Sequence, residues 1–399
     1  MMRTRAETRI KLKLIAMLWM AASLVPAAPA VALSQIKTFG GAPAPFVLDA
    51  KAAYLIDADT GAVLYAYNEH EKMQPASLAK IMTFYLTLDA LKAGRIALNT
   101  TMPVSEKAWR LSMDQSLSHM FLQVNQQVPL HDLLYGLMVS SGNDAAVVLA
   151  EYLGGSTAAF TKLMNDKAAK LGLTETHFNN PDGLPTPGEY TTAADIAKLG
   201  RLLLRNHPEA TTYTSAKNFT FDKITQRNFN TLLFYDSRVN GIKTGHVQEA
   251  GYHLVASSES NGMRLISAVM GTPSMEKRRT ETEKLIAWAF RTYADYRPKL
   301  KAVLPPEFPV HDGVAESVAI RLASEPVFTV IRGEESKAKA KFTLDSPYLE
   351  APAAKGARVG ELTMTLGGKP LGSVEVVADA AVARAGFFER MRQKLHRAL

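Results

Sequence analysis

The spacing of apolar residues divides the chain into two parts. Up to about residue 295, helical and strand-like segments are mixed without a regular strand–helix–strand alternation. This mixture predicts an α+β domain over residues 33–295, with an antiparallel sheet flanked by helices. The segments with helical spacing are SLAKIMTFYLTLDAL, HDLLYGLMV, DAAVVLAEYL, STAAFTKLMNDKAAKL, TTAADIAKLGRLLLRN and MEKRRTETEKLIAWAFRTYA.

Short apolar runs supply the predicted strands of this domain. Residues 51–68 predict a hairpin, because AAYLIDA and AVLYAYN flank the turn-forming sequence Asp59-Thr60-Gly61. Further strand-like runs follow in KNFTF, VNGIKTG, GYHLVASS and MRLISAVMG.

The character of the chain changes after about residue 296. A linker is indicated by four prolines, Pro298, Pro305, Pro306 and Pro309. Beyond them come the alternating runs SVAIRLA, VFTVI, AKFTL, ELTMTL and SVEVVA, separated by Gly, Pro and Asp. This pattern predicts a small all-β, sandwich-like domain over residues 296–383.

Residues 384–399 have the pattern of an amphipathic helix. One helical stripe contains Phe387, Phe388, Met391, Leu395 and Leu399, and the other faces carry Arg390, Arg392, Lys394 and Arg397. Such a helix lies in a membrane interface with its cations on anionic lipid headgroups. The alternative is a terminal helix packed on the β domain. The two adjacent phenylalanines and the concentrated charge favour the membrane.

The net charge of +8 lies at the two ends of the chain. Residues 1–32 and 384–399 each contain five Lys or Arg and one Glu, which leaves 36 basic and 36 acidic residues in between. The zero net charge of residues 33–383 argues against a nucleic-acid partner, whereas the basic ends suit membrane contact. The chain has no cysteine and no H-E-x-x-H sequence, so we expect neither disulfides nor a metal or other cofactor.

The N-terminus has the three regions of a signal peptide. Basic residues from Arg3 to Lys13 precede the apolar stretch 14–25, and a small-residue run, AAPAVA, follows at 27–32. This order predicts a signal peptide over residues 1–32. A transmembrane anchor is the alternative, but the apolar stretch is shorter than the roughly 20 residues that a spanning helix needs.

The sharpest chemical signal is the pair Ser77 and Lys80 at the start of an apolar helix. Side chains three positions apart lie on one face of a helix, so the lysine amine can reach the serine hydroxyl. A neutral amine can activate a hydroxyl as a nucleophile, and burial beside a second cation would lower the lysine pKa. The alternative for Ser77 is a helix cap.

Two further elements are weak when taken alone. Ser141-Gly142-Asn143 lies between two predicted helices, where the hydroxyl could relay protons and the amide could hold a carbonyl; a plain turn is the alternative. Lys243-Thr244-Gly245 lies on a predicted strand and offers a cation, a hydroxyl and room for close backbone approach. A solvated lysine on an edge strand is the alternative there.

Together, the three elements resemble the motifs of the penicillin-recognising serine enzymes in order, spacing and secondary-structure setting. Within that group the chain resembles the low-molecular-weight penicillin-binding proteins that are D-alanyl-D-alanine carboxypeptidases. The matching segments are PASLAKIM (75–82), SSGNDA (140–145), HFNNPDGL (177–184) and GIKTGH (241–246). The resemblance implies a β-lactamase/transpeptidase-like first domain, with the β domain and amphipathic helix following it.

The resemblance also implies an acylation and deacylation cycle on peptidoglycan stem peptides. Ser77 would attack the carbonyl between the last two D-alanines, and Lys80 would take its proton. Backbone N–H groups of Ser77 and His246 would form the oxyanion hole. Ser141 and Lys243 would pass a proton to the departing D-alanine, and Asn143 would bind substrate. β-Lactam antibiotics would acylate the same serine, and the enzyme would work on the periplasmic side of the inner membrane.

The free carboxylate of such a substrate needs a cation. Thr244 and Lys243 are near at hand, and by resemblance an arginine at the start of a later helix also serves, at a position that aligns with Arg278. Neighbouring Arg279 leaves the register open, and a solvated helix face is the alternative for either arginine. Phe229 stands where some relatives carry an arginine near the site.

Two other functions compete with this interpretation. A β-lactamase shares the three motifs, but no E-x-x-L-N segment lies between Asn143 and Lys243 to supply a deacylating glutamate, and Gly142 stands where that class usually has aspartate. A catalytically idle scaffold that binds stem peptides is disfavoured by the retention of Ser77, Lys80 and Lys243. His177 and Asp182 border the site by resemblance, and no catalytic role is assigned to them.

Overall fold

The computed structural model describes residues 35–298 and 304–398. The predicted signal peptide over residues 1–32 and Leu399 of the predicted apolar stripe lie outside these ranges, as does part of the predicted linker.

The first domain is built on a six-stranded antiparallel sheet with the strand order β1-β3-β2-β10-β9-β8. The strands of this domain are β1 (Lys37–Thr38), β2 (Ala52–Asp57), β3 (Val63–Tyr67), β4 (Thr101–Pro103), β5 (Gln127–Pro129), β6 (Asn218–Phe221), β7 (Ile224–Arg227), β8 (Val239–Val247), β9 (Gly251–Ser260) and β10 (Met263–Thr272). Strands β4 and β5, and β6 and β7, form separate two-stranded ribbons. The antiparallel sheet predicted from the sequence is confirmed, including the β2–β3 hairpin.

Helices cover both faces of this sheet. They are α1 (Lys80–Lys92), α2 (Glu106–Met113), α3 (Leu130–Met138), α4 (Asn143–Gly154), α5 (Thr157–Lys170), α6 (Ala193–Asn206), α7 (Ala210–Thr214), α8 (Leu232–Tyr235) and α9 (Met275–Thr292). Helix α6 belongs to the larger apolar cluster on one face, together with α1, α3 and α4, whereas α9 packs in a second cluster on the opposite face. Coverage on both sides explains why β9 and β10 are buried almost continuously rather than at alternate positions.

Local capping agrees with the sequence pattern at several helix starts. The side chains of Ser156, Thr192 and Ser274 accept hydrogen bonds from backbone N–H groups in the first turns of α5, α6 and α9. These bonds satisfy donors that have no partner within the helix. Each of these helices therefore begins within two residues of its predicted start.

The second domain is all-β, as predicted. Its strands are β11 (Tyr293–Tyr296), β12 (Glu307–His311), β13 (Ser317–Leu322), β14 (Phe328–Ile331), β15 (Ala338–Leu344), β16 (Leu349–Glu350), β17 (Arg358–Leu366) and β18 (Lys369–Ala378). Six of them form a sheet in the order β15-β17-β18-β13-β12-β16, and β11 pairs with β14. The buried side chain of Phe328 packs with Leu362, Met364 and Val376, so the β11–β14 ribbon lies against the sheet. The predicted boundary between residues 295 and 296 falls inside β11.

The C-terminal helix α10 (Phe387–Ala398) presents its apolar residues to solvent. Phe388 is 87% exposed and Leu395 is 65% exposed. The buried contact comes from a polar residue: Gln393 donates a hydrogen bond from Nε2 to the carbonyl oxygen of Gly313, at 3.0 Å. The stripe residues Phe387, Phe388, Met391 and Leu395 are therefore not used for packing on the β domain. Every helix within the described residues is too short or too polar to cross a membrane.

Candidate active site

Ser77 lies in a single 3-10 turn, Ala76–Ala79, that leads directly into α1. The α-helix begins at Lys80 rather than at Ser77, yet the two side chains still meet, with Nζ 2.9 Å from Oγ. Ala76 has a positive φ of 49°, a conformation that costs energy for a residue other than glycine. Neither the turn nor α1 has a side-chain cap, so the structure does not use Ser77 as a helix cap.

Lys80 is fully buried and saturated with acceptors. Besides Ser77 Oγ, its Nζ donates to Asn143 Oδ1 at 2.7 Å and to the carbonyl oxygen of Asp182 at 2.5 Å. Burial lowers the pKa of Lys80 to about 8, although nearby carboxylates, first that of Asp182, act in the opposite direction. An amine with this pKa is partly neutral near physiological pH, which a general base requires.

A second buried pair joins Ser141 to Lys243. Lys243 Nζ donates to Ser141 Oγ at 2.9 Å, across 102 positions of sequence. Burial lowers the pKa of Lys243 well below its ordinary value, and the positive charges of Lys80 and Arg278 lower it further. Ser141 has a positive φ of 57° in the turn between α3 and α4. The solvated-lysine alternative is thus incompatible with the structure, since Lys243 is 2% exposed.

These pairs lie beneath a cleft of about 420 Å³. The predicted site residues that line it are Ser77, Ser141, Asn143, Thr244, Gly245, His246 and Arg278. The two lysines are buried below this surface and reach it through the hydroxyl groups of Ser77 and Ser141. The cleft therefore presents two hydroxyl groups, each held by a different lysine.

Strand β8 forms one wall of the cleft. It is the last strand of the sheet, and within the described residues it has a neighbouring strand on one side only. A Cβ at Gly245 would lie 3.0 Å from the carbonyl oxygen of Pro75 and 3.3 Å from Cβ of Ala76. This glycine thus allows β8 to approach the turn that carries Ser77. The free strand edge beyond it can pair with an extended peptide.

The structure separates Arg278 from Arg279. The Arg278 side chain is 4% exposed, lines the cleft and donates from Nη2 to the carbonyl oxygen of Phe229 at 3.0 Å. Burial lowers the pKa of Arg278 to about 10, which leaves it positively charged at neutral pH. Arg279 instead pairs with Glu276 and Glu283 on the outer face of α9.

The segment 177–184 contributes a backbone atom that sequence reasoning did not assign. The carbonyl oxygen of Asp182 accepts from Lys80, while its buried carboxylate accepts from the N–H of Leu184 at 2.9 Å. His177 pairs with Tyr190 through the backbone, which closes the base of this loop. The resemblance placed the loop beside the site, but a carbonyl contact leaves no side-chain signal in a sequence.

A second unassigned residue, Asp144, organises the opposite wall. Its buried carboxylate accepts from Ser112 Oγ at 2.7 Å and from the N–H of Met120 at 3.0 Å. These bonds tie the segment after α2 to the start of α4, and Ser116, Leu117 and Ser118 from that segment line the cleft. Its position directly after Asn143 is the signal that could have identified it.

Among the described residues, no group of three or more His, Asp or Glu side chains is arranged to hold a metal ion. His246 is exposed and stacks on Tyr252, with 3.9 Å between the ring centroids. The hydroxyls of Ser77 and Ser141, each held by a buried amine, suit the site to nucleophilic chemistry. The guanidinium of Arg278 beside them has no carboxylate partner among the described residues.

A Ser-x-x-Lys pair, a Ser-Gly-Asn turn and a Lys-Thr-Gly strand that meet at one cleft are the features of the penicillin-recognising serine enzymes. Comparison with known families agrees with this class. The model described as D-alanyl-D-alanine carboxypeptidase matches residues 40–274, and the model described as penicillin-binding protein 5, C-terminal domain, matches residues 306–384. The chain belongs to the D-alanyl-D-alanine carboxypeptidase family.

Individual relatives match along most of their length. The chain is 39% identical to D-alanyl-D-alanine carboxypeptidase DacA of Haemophilus influenzae over 350 residues, covering 87% of this chain and 88% of that one. It is 40% identical to DacC of Escherichia coli K12 over 347 residues, covering 86% and 87%. The crystal structure of penicillin binding protein 5 from Haemophilus influenzae superposes with a TM-score of 0.79 at 38% identity, covering 86% of this chain and all of that one.

These findings confirm the family, the fold and the enzyme class expected from the sequence. The protein is a D-alanyl-D-alanine carboxypeptidase with a penicillin-binding protein fold, and a serine acyl-enzyme is the general mechanism of its family.

Proposed function

We propose that Ser77 is the nucleophile and Lys80 the general base in removal of the terminal D-alanine from peptidoglycan stem peptides. The observation that carries this proposal is the 2.9 Å contact between Lys80 Nζ and Ser77 Oγ, made by a buried amine whose pKa is lowered to about 8. A neutral amine at this distance can accept the hydroxyl proton as the oxygen attacks.

In the acylation step, Ser77 Oγ forms a bond to the carbonyl carbon of the penultimate residue while Lys80 takes its proton. Backbone N–H groups of Ser77 and His246 stabilise the oxyanion. The carbon–nitrogen bond then breaks, and Ser141 passes a proton to the departing amine, replenished from Lys243. Water hydrolyses the resulting ester and releases the shortened peptide, so that the cycle consumes one water for each D-alanine released.

Substrate binding uses the remaining cleft residues. Asn143 accepts from Lys80 through Oδ1, which leaves its Nδ2 to donate to a substrate carbonyl. Thr244 and the buried, unpaired charge of Arg278 bind the terminal carboxylate, and Gly245 and His246 lie on the strand edge that pairs with the peptide. Penicillins carry a carboxylate and a reactive amide in a similar arrangement and acylate Ser77.

We also propose the chain's organisation and location. Residues 1–32 are a cleaved signal peptide, 33–295 the catalytic domain, 296–383 the β domain and 384–399 a membrane-binding helix. The exposed apolar face of α10 supports this last assignment, because its polar face makes the contact with the β domain. The enzyme is then peripheral to the periplasmic side of the inner membrane and binds its lipids.

The proposal is tested with a pentapeptide ending in D-Ala-D-Ala and an assay for released D-alanine. Ser77→Ala is expected to abolish both D-alanine release and labelling by a fluorescent penicillin. Ser140→Ala is a matched control, because Ser140 is a buried neighbour in the second motif and its hydroxyl has no hydrogen-bond partner within the described residues. If labelling persists in Ser77→Ala but is lost in Ser140→Ala, Ser77 is not the nucleophile.

A further inference from the structure

The guanidinium of Arg278 has no carboxylate partner within the described residues, although its side chain is only 4% exposed. Its contacts are the carbonyl oxygen of Phe229 and the ring face of Tyr252, whose centroid lies 5.7 Å from Cζ. Under the proposed function, this charge receives the terminal carboxylate of the peptide. The surroundings of Arg278 are then the surroundings of the last residue of the substrate.

Those surroundings contain three partly exposed apolar or aromatic side chains next to the polar His246. Phe229 is 42% exposed, Met275 is 46% exposed, and Tyr252 is half-buried; all three line the cleft beside Arg278. We call Phe229, Tyr252 and Met275 the apolar collar. Large apolar side chains exposed together in a cleft mark a surface that a ligand covers.

The loop that carries Phe229 is held rigidly. Asn228, on one side, donates from Nδ2 to the carbonyl oxygen of Ala216 at 2.8 Å. Asn230, on the other side, donates from Nδ2 to the carbonyl oxygen of Gly241 at 3.0 Å. Both asparagines are buried, so the backbone between them is fixed and Phe229 is displayed in the cleft rather than packed in the core.

We infer that the terminal subsite accepts D-residues whose apolar side chains are larger than the methyl group of alanine. This inference rests on the proposed function. A carboxylate bound at Arg278 fixes the α-carbon to which it is attached, and the side chain leaves that same carbon. The side chain must therefore lie close to Arg278, where the three side chains of the apolar collar are partly exposed.

The chemistry is that of the known reaction with a different leaving group. The amide bond before the terminal residue breaks as the Ser77 ester forms, and the departing amine takes a proton. Water then hydrolyses the ester. The released product is a free apolar D-amino acid, such as D-methionine or D-leucine. The shortened peptide is the same one that cleavage of the D-alanine peptide gives.

The test uses the mature full-length protein and two peptides, diacetyl-L-lysyl-D-alanyl-D-alanine and the same peptide ending in D-methionine. The released amino acid is quantified by chromatography, and kcat/KM is compared as the D-Met to D-Ala ratio. Phe229→Ser and Met275→Ser are each expected to lower this ratio at least about fivefold. In a closed apolar pocket, one methylene group changes kcat/KM by roughly tenfold or more. The collar is open to solvent, so we expect a smaller change there.

Two further variants separate a packing effect from loss of the fold. Phe229→Leu keeps an apolar side chain and should restore most of the ratio. Tyr235→Ser is the matched control, since Tyr235 is 66% exposed, is contacted by Arg279 and does not line the cleft. Its ratio should equal that of the wild type.

The inference is overturned if the wild-type protein releases D-alanine but cleaves the D-methionine peptide at less than about one hundredth of that rate, because a loss of that size means that the subsite rejects the larger side chain. An unchanged ratio in both collar variants would overturn it as well. Failure to cleave either peptide, with no penicillin label on Ser77, would instead contradict the proposed function.

Discussion

Gly183 lies directly against the backbone of Ala76, the residue before the proposed nucleophile. A Cβ at position 183 would fall 1.8 Å from the carbonyl oxygen of Ala76 and 3.1 Å from the amide nitrogen of Ser77. The loop 177–184 and the nucleophile turn are therefore in backbone-to-backbone contact. This contact places the carbonyl oxygen of Asp182 on Lys80.

Gly183→Ala is expected to lower the rate of acylation by a β-lactam at least tenfold, because the added methyl group must displace either the loop or the turn that holds Ser77. Acylation is measured by stopped-flow or by fluorescent penicillin labelling. Gly188→Ala is the control: Gly188 also has a positive φ, of 83°, but its nearest neighbouring atom would be 3.9 Å from the new Cβ. Gly188→Ala should lower the free energy of unfolding by about 1–2 kcal/mol through backbone strain alone. Equal acylation rates in the two variants would show that the contact does not position the site.

The rate of acylation should rise with pH through a limb near 8. Lys80 must be neutral to accept a proton, and its neutral fraction increases as pH passes its pKa, which burial lowers to about 8. The measurement is the second-order rate constant for acylation between pH 5.5 and 9.5. Lys80→Arg should lose this limb and acylate at least about a hundredfold more slowly, because a guanidinium stays protonated. If Lys80→Arg retains this pH-dependent rise, another group is the general base.

Stability should fall with rising pH because of a buried carboxyl at the junction of the two domains. The Asp295 side chain in β11 is 2% exposed, and burial, with the nearby charge of Asp57, raises the pKa of Asp295 to about 8. An unfolded aspartate has a pKa near 3.9, so the folded protein binds the extra proton between roughly pH 4 and pH 8. Stability contributed by this proton is complete at the acid end of that window and is lost as pH approaches 8.

Asp295→Asn should flatten the pH dependence of the melting temperature between pH 5 and pH 8.5, since an amide does not titrate. The neighbouring charged residues, Asp57, Asp59 and Arg297, remain in this variant. Asp379→Asn is the control, because Asp379 is half exposed in a surface pair with Arg321. A slope that is unchanged in Asp295→Asn would place the titrating group elsewhere.

Deleting residues 384–399 should release the mature protein from anionic vesicles and leave its activity on soluble peptide intact. The helix adds apolar insertion to electrostatic attraction, and each cation near such a surface is worth about 1 kcal/mol. Binding of the full-length protein should therefore weaken with salt, since screening acts over about 10 Å at 0.1 M ionic strength. Co-sedimentation at low and high salt measures both effects. If the truncated protein sediments as well as the full-length one, the anchor lies elsewhere.

Much of the fold could be predicted from local pattern alone. Apolar spacing identified the helices that flank Ser141, the hairpin of β2 and β3, and the strands β8 to β10, because each of these depends on contacts within a few residues. The spacing of Ser77 and Lys80 predicted their contact for the same reason. The exception was the first turn, which is 3-10 at Ser77 and becomes α-helical only at Lys80.

The remaining properties of the site depend on long-range packing. Lys243 and Ser141 are 102 positions apart, and the carbonyl oxygen of Asp182 reaches Lys80 over the same separation. The lowered pKa of Lys80 comes from burial, which no single segment encodes. The sequence pattern of α9 could not decide whether Arg278 or Arg279 faces the cleft. The pattern of α10 predicted an apolar stripe but not which side of the helix contacts the β domain. Only the packed structure distinguishes the two faces of each helix, because a face is buried by its neighbours in space rather than by its neighbours in sequence.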